Sequence, residues 1–228
     1  MAKQNVTPQE ASIDEAVSKT ESFFENNSKL IICVLVAIFA IVGGWYCYDH
    51  FIVKTNNEEA AKMISEAQYR FEAANPDYEL ALNGDENGAG FLAVIDEYGS
   101  TPAGNLAKHY AGACYLHLGD FEAAADYLSK YSPVKGLPGQ IINAQNLGMQ
   151  GDAAVELGDY AKAVKFFEKA VKASDNSYTA PLYMRKQGVA LQALGKTEEA
   201  AAVFQKLLNT YPASADAAEV QKLIGPEE

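Results

Sequence analysis

Nineteen consecutive residues, Leu30 to Tyr48 (LIICVLVAIFAIVGGWYCY), carry no charged side chain. As a helix rising ~1.5 Å per residue the run covers roughly 28 Å, about the thickness of a bilayer's hydrocarbon core. Lys29 precedes it, and Asp49, His50 and Lys54 follow it. Trp45, Tyr46 and Tyr48 crowd its C-terminal end, where amphipathic rings favour the headgroup level. The run reads as a single membrane span, 30–53 with its exit, between an arm of 29 residues and a large helical domain.

A cleaved signal peptide starts with a short basic region and ends at small residues. This run is preceded by an acidic arm and ends in bulky residues, so it reads as a retained anchor. Neither Cys33 nor Cys47 follows the small residues a lipoprotein site requires. Orientation stays open on charge alone, because Lys29 and Lys19 on one side are matched by Lys54 and Lys62 on the other.

Net charge is −12. The arm 1–29 contributes −2 and residues 49–228 contribute −10, with no basic run. Such a domain is a poor ligand for nucleic acid and is repelled by anionic lipid, which points the function at proteins. Three cysteines, Cys33, Cys47 and Cys114, offer no disulfide framework and read as buried packing.

Along the arm, Thr7-Pro8 followed by Glu10 is a helix-start signature. Ile13, Val17, Thr20 and Phe24 then fall at helical spacing, and Asn26-Asn27-Ser28 punctuates the helix before the span. This thin stripe suits a membrane surface, a partner, or a loosely ordered cytosolic arm. Beyond the span, Ala60, Met63, Ile64, Ala67, Phe71 and Ala74 mark an amphipathic stalk helix, Glu58–Ala74, ended by Pro76. Whether it continues unbroken from the span is open. Residues 83–90 (NGDENGAG) read as a loop. Asn83, Asp85, Asn87 and Gly88 imitate a calcium loop, but the first ligand is not Asp and the bidentate Glu position holds Val94. A helix Phe91–Tyr98 follows.

From residue 105 a pattern recurs three times. Gly112 is followed at offsets of three, seven, twelve and sixteen by Tyr115, Gly119, Ala124 and Leu128. Gly151 is followed likewise by Ala154, Gly158, Ala163 and Phe167, and Gly188 by Leu191, Gly195, Ala200 and Phe204. The turns read LGDFEAA, LGDYAKA and LGKTEEA. Small residues let two helices approach, the Gly of each Leu-Gly pair ends the first helix, and the large residue at the last offset fills the gap between hairpins. This resembles the tetratricopeptide repeat, a helix–turn–helix unit, over residues 105–133, 144–175 and 181–212. Pro133 and Pro212 sit near the closing proline, while SPVKGLPGQ reads as an exposed loop. FLAVIDEYGSTP resembles the second helix of an earlier, degenerate unit within 54–104. Ala213–Ile224 reads as a cap within 213–228, with Glu219, Gln221 and Lys222 on its polar face. The expected fold is all-α, a single transmembrane helix followed by a tetratricopeptide solenoid.

No pattern for catalysis, a cofactor or a metal stands out. His50 lies at the membrane edge, and His109 and His117 are eight apart on one helix, which is not a metal-pair spacing. No phosphate loop or nucleophile turn is present. The expectation is therefore a binding protein and not an enzyme. The candidate surface is the inner face formed by the first helix of each repeat. Helix-face counting assigns to it Leu106, His109, Ala113, Leu116 and His117. The second repeat adds Gln145, Gly148, Asp152, Val155 and Glu156, and the third adds Leu182, Arg185, Val189 and Gln192. Such a face suits a helix or an extended peptide. It lacks the Lys/Asn set with which some tetratricopeptide repeats clamp a C-terminal carboxylate.

The junction SFFENNSKLIICVLVAIFAIVGGWYCY adds a second resemblance, to the bacterial ancillary subunit of the Sec translocon. It rests on Phe23-Phe24, Glu25-Asn26, Lys29 and the Gly43-Gly44-Trp45-Tyr46 exit, with AGNLAKHYAGACYLHLGDFEAA as the most family-like later stretch. That resemblance implies an inner-membrane protein with a cytoplasmic N-terminus and a periplasmic domain. Its implied partners are translocon, insertase or periplasmic chaperone components. Two other readings stand beside it: a structural subunit of another envelope assembly, and a ligand- or lipid-binding domain or enzyme using the space between hairpins.

Overall fold

The computed structural model describes residues 8–224 of the chain. Thr7 of the helix-start signature and the tail 225–228 lie outside the described residues, as does the side chain of Ile13. The chain divides into two compact units, one up to Thr55 and the other from Asn56 onward.

In the first unit, α1 runs from Pro8 to Tyr48 without interruption, 41 residues or about 60 Å at the α-helical rise. The break expected at Asn26–Ser28 does not occur. Asn27 Nδ2 donates to the Phe23 carbonyl at 2.9 Å and Ser28 Oγ to the Glu25 carbonyl at 3.2 Å. Their side chains thus turn back onto the helix instead of competing with it. A π-helical turn, Asp49–Val53, follows, and the Lys54 N–H closes it onto the Asp49 carbonyl. α2 (Lys54–Phe71) begins at the next residue, so helical structure is unbroken from 8 to 71. None of the described side chains of α1 is buried. Cys33 and Cys47 are exposed on it, and only Cys114 is buried, which corrects the packing role assigned to the first two. By length and composition this helical stretch is able to cross a membrane. An apolar surface of that extent is otherwise hard to keep in water.

The second unit begins with α2, which buries Ala60, Ile64 and Ala67 and stops at Phe71, three residues short of the expected end. α3 (Tyr78–Asn83) follows, capped by Asp77, whose carboxylate accepts from the Leu80 N–H at 2.8 Å. The 83–90 stretch is not a plain loop. Gly84–Asp85 (β1) and Gly88–Ala89 (β2) pair antiparallel in a small hairpin, with Gly84 paired to Ala89. Arg70 holds that hairpin, with Nη1 donating to the Gly88 and Ala89 carbonyls at 3.1 and 3.3 Å and Nη2 meeting Asp85 at 2.7 Å. The Asp85 carboxylate is therefore already met by a guanidinium. The Asn87 side chain and main-chain N–H donate to it as well, and these Asn87 bonds, with a smaller part from the Arg70 charge, keep the carboxyl below its ordinary range. α4 (Phe91–Tyr98) has the bounds expected from sequence.

Three helical hairpins follow: α5 (Pro102–Leu118) with α6 (Phe121–Ser129), α7 (Leu137–Glu156) with α8 (Tyr160–Ala173), and α9 (Ala180–Ala193) with α10 (Thr197–Thr210). α11 (Ala215–Ile224) closes the series, burying Ala217 and Val220 while Glu219, Gln221 and Lys222 stay exposed. Each turn follows the Leu-Gly rule. Gly119, Gly158 and Gly195 take φ of +81°, +76° and +73°, the left-handed region in which a Cβ is strained. Asp120 and Asp159 then cap the following helices, accepting from Ala123 N–H and Lys162 N–H at 3.0 Å.

The small residue and the large residue sixteen positions later meet inside one hairpin, and the large residue also reaches the next element: Phe167 clusters with Tyr183 and Ala190 of the third hairpin, and Phe204 with Ala217 and Val220 of α11. A Cβ added at Gly112 would strike Leu128, one at Gly151 would strike Phe167, and one at Gly188 would strike Phe204. Packing between hairpins also uses Gly148, where a Cβ would strike Tyr183 of the next repeat. The SPVKGLPGQ stretch is only partly a loop. α7 starts at Leu137 with its proline in the first turn, where the missing N–H costs nothing. Asn105 and Asn143 pin the connector, bonding Ser132 and Val134 respectively through both main-chain groups.

Candidate functional site

The first helices of the hairpins, with the end of α2, enclose a concavity of about 410 Å³, within the usual size range of ligand pockets. Leu106, His109, Ala113 and His117 reach it from α5, Gln145 and Asp152 from α7, and Leu182 from α9. A smaller hollow of about 150 Å³ adjoins it through Asp152 and Lys186 and takes Val155, Arg185 and Val189. Leu116, Glu156 and Gln192 line neither space, and Gly148 is buried beneath Tyr183.

Sequence counting missed a second set of lining residues: Phe71, Glu72, Tyr110, Ile142, Met149, Tyr183 and Lys186. Four of these stand one position after a residue the counting did assign, namely His109, Gly148, Leu182 and Arg185. A groove between neighbouring helices is wider than the stripe a single helix presents, so the next position, 100° around, also faces it. Phe71 ends the stalk helix and Glu72 follows it, and no repeat pattern encodes the approach of that segment to α5.

Aromatic rings dominate one end. Phe71 sits edge-on to Tyr110 at 5.1 Å between centroids, Tyr110 stacks on Phe91 at 5.1 Å, and Tyr78 lies flat on His117 at 4.0 Å. His109 is not an open surface residue. It is 6% exposed, edge-on to Tyr110, and its Nδ1 lies 3.4 Å from Asn146 Nδ2. Asn146 is itself buried and accepts from Gln150 at 2.7 Å. Burial pushes the His109 imidazole down to about 4, so it is neutral at physiological pH and joins α5 to α7 as a polar packing residue. Ala113 is likewise buried, and serves as part of the floor.

The charged members are committed internally. Lys186 Nζ bonds both carboxylate oxygens of Asp152, at 2.8 and 2.7 Å, crossing from α9 to α7. Arg185 Nε meets Asp216 at 2.6 Å and ties α9 to the capping helix. Burial, and then the nearby Asp152 charge, raise the Tyr183 hydroxyl to about 12. It therefore stays protonated. Among the described residues no three His, Cys, Asp or Glu side chains converge in a way that would hold a metal ion.

A helical solenoid with a groove across its first helices, preceded by an apolar helix of membrane-spanning length, defines the class: an all-α repeat protein built for contact with other molecules. Residues 149–219 match the tetratricopeptide repeat family. That match spans the end of α7, the whole of α8, the third hairpin and half of α11, and the fold carries the same hairpin geometry back to α5. No curated protein matches the chain.

Proposed function

We propose that this protein is a membrane-anchored adaptor whose repeat domain binds other proteins through the groove between α2, α5, α7 and α9, and that it is not an enzyme. The groove itself carries this reading. Its floor is apolar and aromatic, its imidazole is held neutral by burial, and its Lys186 and Asp152 are spent on each other. Such a lining suits side chains inserted from a partner segment more than proton transfer or nucleophilic attack. The apolar helix supports the anchor, and an anchored domain meets its partners at raised local concentration.

The finer assignment rests on the junction around Phe23-Phe24 and Gly43-Gly44-Trp45-Tyr46. It places the protein in a bacterial inner membrane, N-terminus cytoplasmic and repeats periplasmic, ancillary to the Sec translocon and to periplasmic chaperones. Purification of the full chain in mild detergent, followed by mass spectrometry of bound proteins, tests it. Recovery of translocon, insertase or chaperone components is the expected result. Stoichiometric, salt-resistant recovery of a different envelope complex would replace this assignment, and a cytosolic C-terminal reporter would remove it.

A further inference from the structure

The groove differs in charge from end to end. At the α9 end, Lys186 and Asp152 cancel. At the other end α2 finishes in Phe71 with Glu72 next to it in the chain, and Tyr78 of α3 covers His117. Glu72 in the groove lining, and Asp77 and Glu79 on either side of Tyr78 in sequence, are all exposed. Glu72 accepts from the Tyr110 hydroxyl at 3.3 Å and Asp77 from the Leu80 N–H at 2.8 Å, and neither bond cancels a charge. No Lys or Arg other than Lys186 lines the groove among the described residues.

The imbalance runs through the whole N-terminal end of the unit. Residues 56–100 contain ten Asp or Glu, every one exposed, against two Lys or Arg. One of those two, Arg70, is occupied by Asp85 at 2.7 Å. Residues 105–212, in contrast, hold eleven basic and ten acidic side chains. The negative charge of the unit is thus concentrated in the N-terminal segment that supplies Phe71 and Glu72 to the groove.

From this complementarity we infer that the groove's occupant is a basic polypeptide segment. Its apolar side chains lie on Phe71, Leu106 and Tyr110, and its Lys or Arg side chains face Glu72, Asp77 and Glu79. This deepens the adaptor reading and rests on it. The apolar insertion supplies most of the affinity. The exposed carboxylates supply orientation, partner choice and association rate, and salt screens their contribution.

The test uses the full chain in neutral detergent and two bead-displayed libraries of short peptides. Both have the same randomised apolar positions, with Lys at the fixed flanking positions in one and Glu in the other. Retention of labelled protein on the Lys library, with none on the Glu library, is expected. E72Q/E79Q should weaken retention about tenfold, as two exposed charge contacts allow. E198Q/E199Q on α10 removes the same charge elsewhere and should leave retention unchanged. Q145W starts from an exposed position, fills the groove without altering net charge, and should abolish retention. If Q145W abolishes binding but both libraries are retained equally, the basic class is overturned while the groove reading survives. Retention of the Lys library that Q145W leaves intact would overturn the groove reading itself, and retention of neither library would overturn both.

Discussion

Gly188→Ala sets two opposing effects against each other. Ala in place of Gly within a helix favours folding by ~1 kcal/mol through propensity. Against that, a Cβ at 188 would lie 2.6 Å from Phe204 Cζ and 2.7 Å from Cδ1. Phe204 is 1% exposed and sits in a cluster with Leu191, Leu207, Ala217 and Val220, so its ring has no free space to enter. Overpacking of this kind costs ~1–3 kcal/mol. Because a closed ring and not a flexible chain end receives the clash, the upper part of that range applies, and the net loss is about 1–2 kcal/mol. In a unit of this size that lowers Tm by about 2–8 °C. Phe204→Ala costs about 3–5 kcal/mol by itself. It also removes the obstacle, so in that background Gly188→Ala should stabilise by ~1 kcal/mol. A double-mutant cycle on the full chain in detergent, read by thermal unfolding in far-UV circular dichroism, should therefore give a coupling energy of about 2–3 kcal/mol and a change of sign. If Gly188→Ala raises Tm in both backgrounds, the hairpins do not close by contact at this glycine.

Three further outcomes can be measured in the same way. Gly119→Ala places a Cβ at φ +81° and should cost about 1–2 kcal/mol, while Gly119→Asn should cost less because Asn tolerates the left-handed region. His109 has a folded-state pKa of about 4 against an ordinary 6.5, so the unfolded chain binds the extra proton between these values. Its contribution is complete above about pH 6.5 and drains away toward pH 4; stability should fall by about 2 kcal/mol between pH 7 and pH 5 from this group. His109→Gln should flatten that part of the pH profile in urea titrations. Lys186→Met should destabilise more than Lys186→Met combined with Asp152→Asn, since the single change strands a half-buried carboxylate. A coupling of about 1 kcal/mol is expected for a pair with two short bonds at partial exposure.

The repeat architecture was legible because its determinants are local and differ in kind. Leu-Gly pairs mark turns by backbone conformation, and the offset of sixteen from Gly to Leu128, Phe167 or Phe204 is set by the length of one hairpin. What stayed hidden depended on partners distant in sequence. The β1–β2 hairpin exists because Arg70, eighteen residues before Gly88, bonds its carbonyls. Leu137-Pro138-Gly139 carries loop residues, yet α7 begins there because proline is tolerated in a first turn. Asn26–Ser28 reads as punctuation, but its hydrogen bonds fold back onto a long helix. The groove was half legible. Repeat counting located Leu106, Gln145 and Leu182, but it could not foresee the Phe71 ring at the end of α2 and the Glu72 carboxylate after it, nor that Arg185 and Asp152 are already engaged.

The contacts of Gly112, Gly151 and Gly188 each join residues only sixteen apart, and an αL turn lies between them. The closing contact of a hairpin is thus made within one short stretch of chain, and its remaining partners come from the next hairpin along. Contacts of low sequence separation form fast, and folding of such arrays propagates from neighbour to neighbour. A domain built this way is suited to assemble vectorially, one hairpin at a time, as the chain behind the apolar N-terminal helix is delivered. α11, held to α9 by Arg185 and Asp216, would be the last piece to seat.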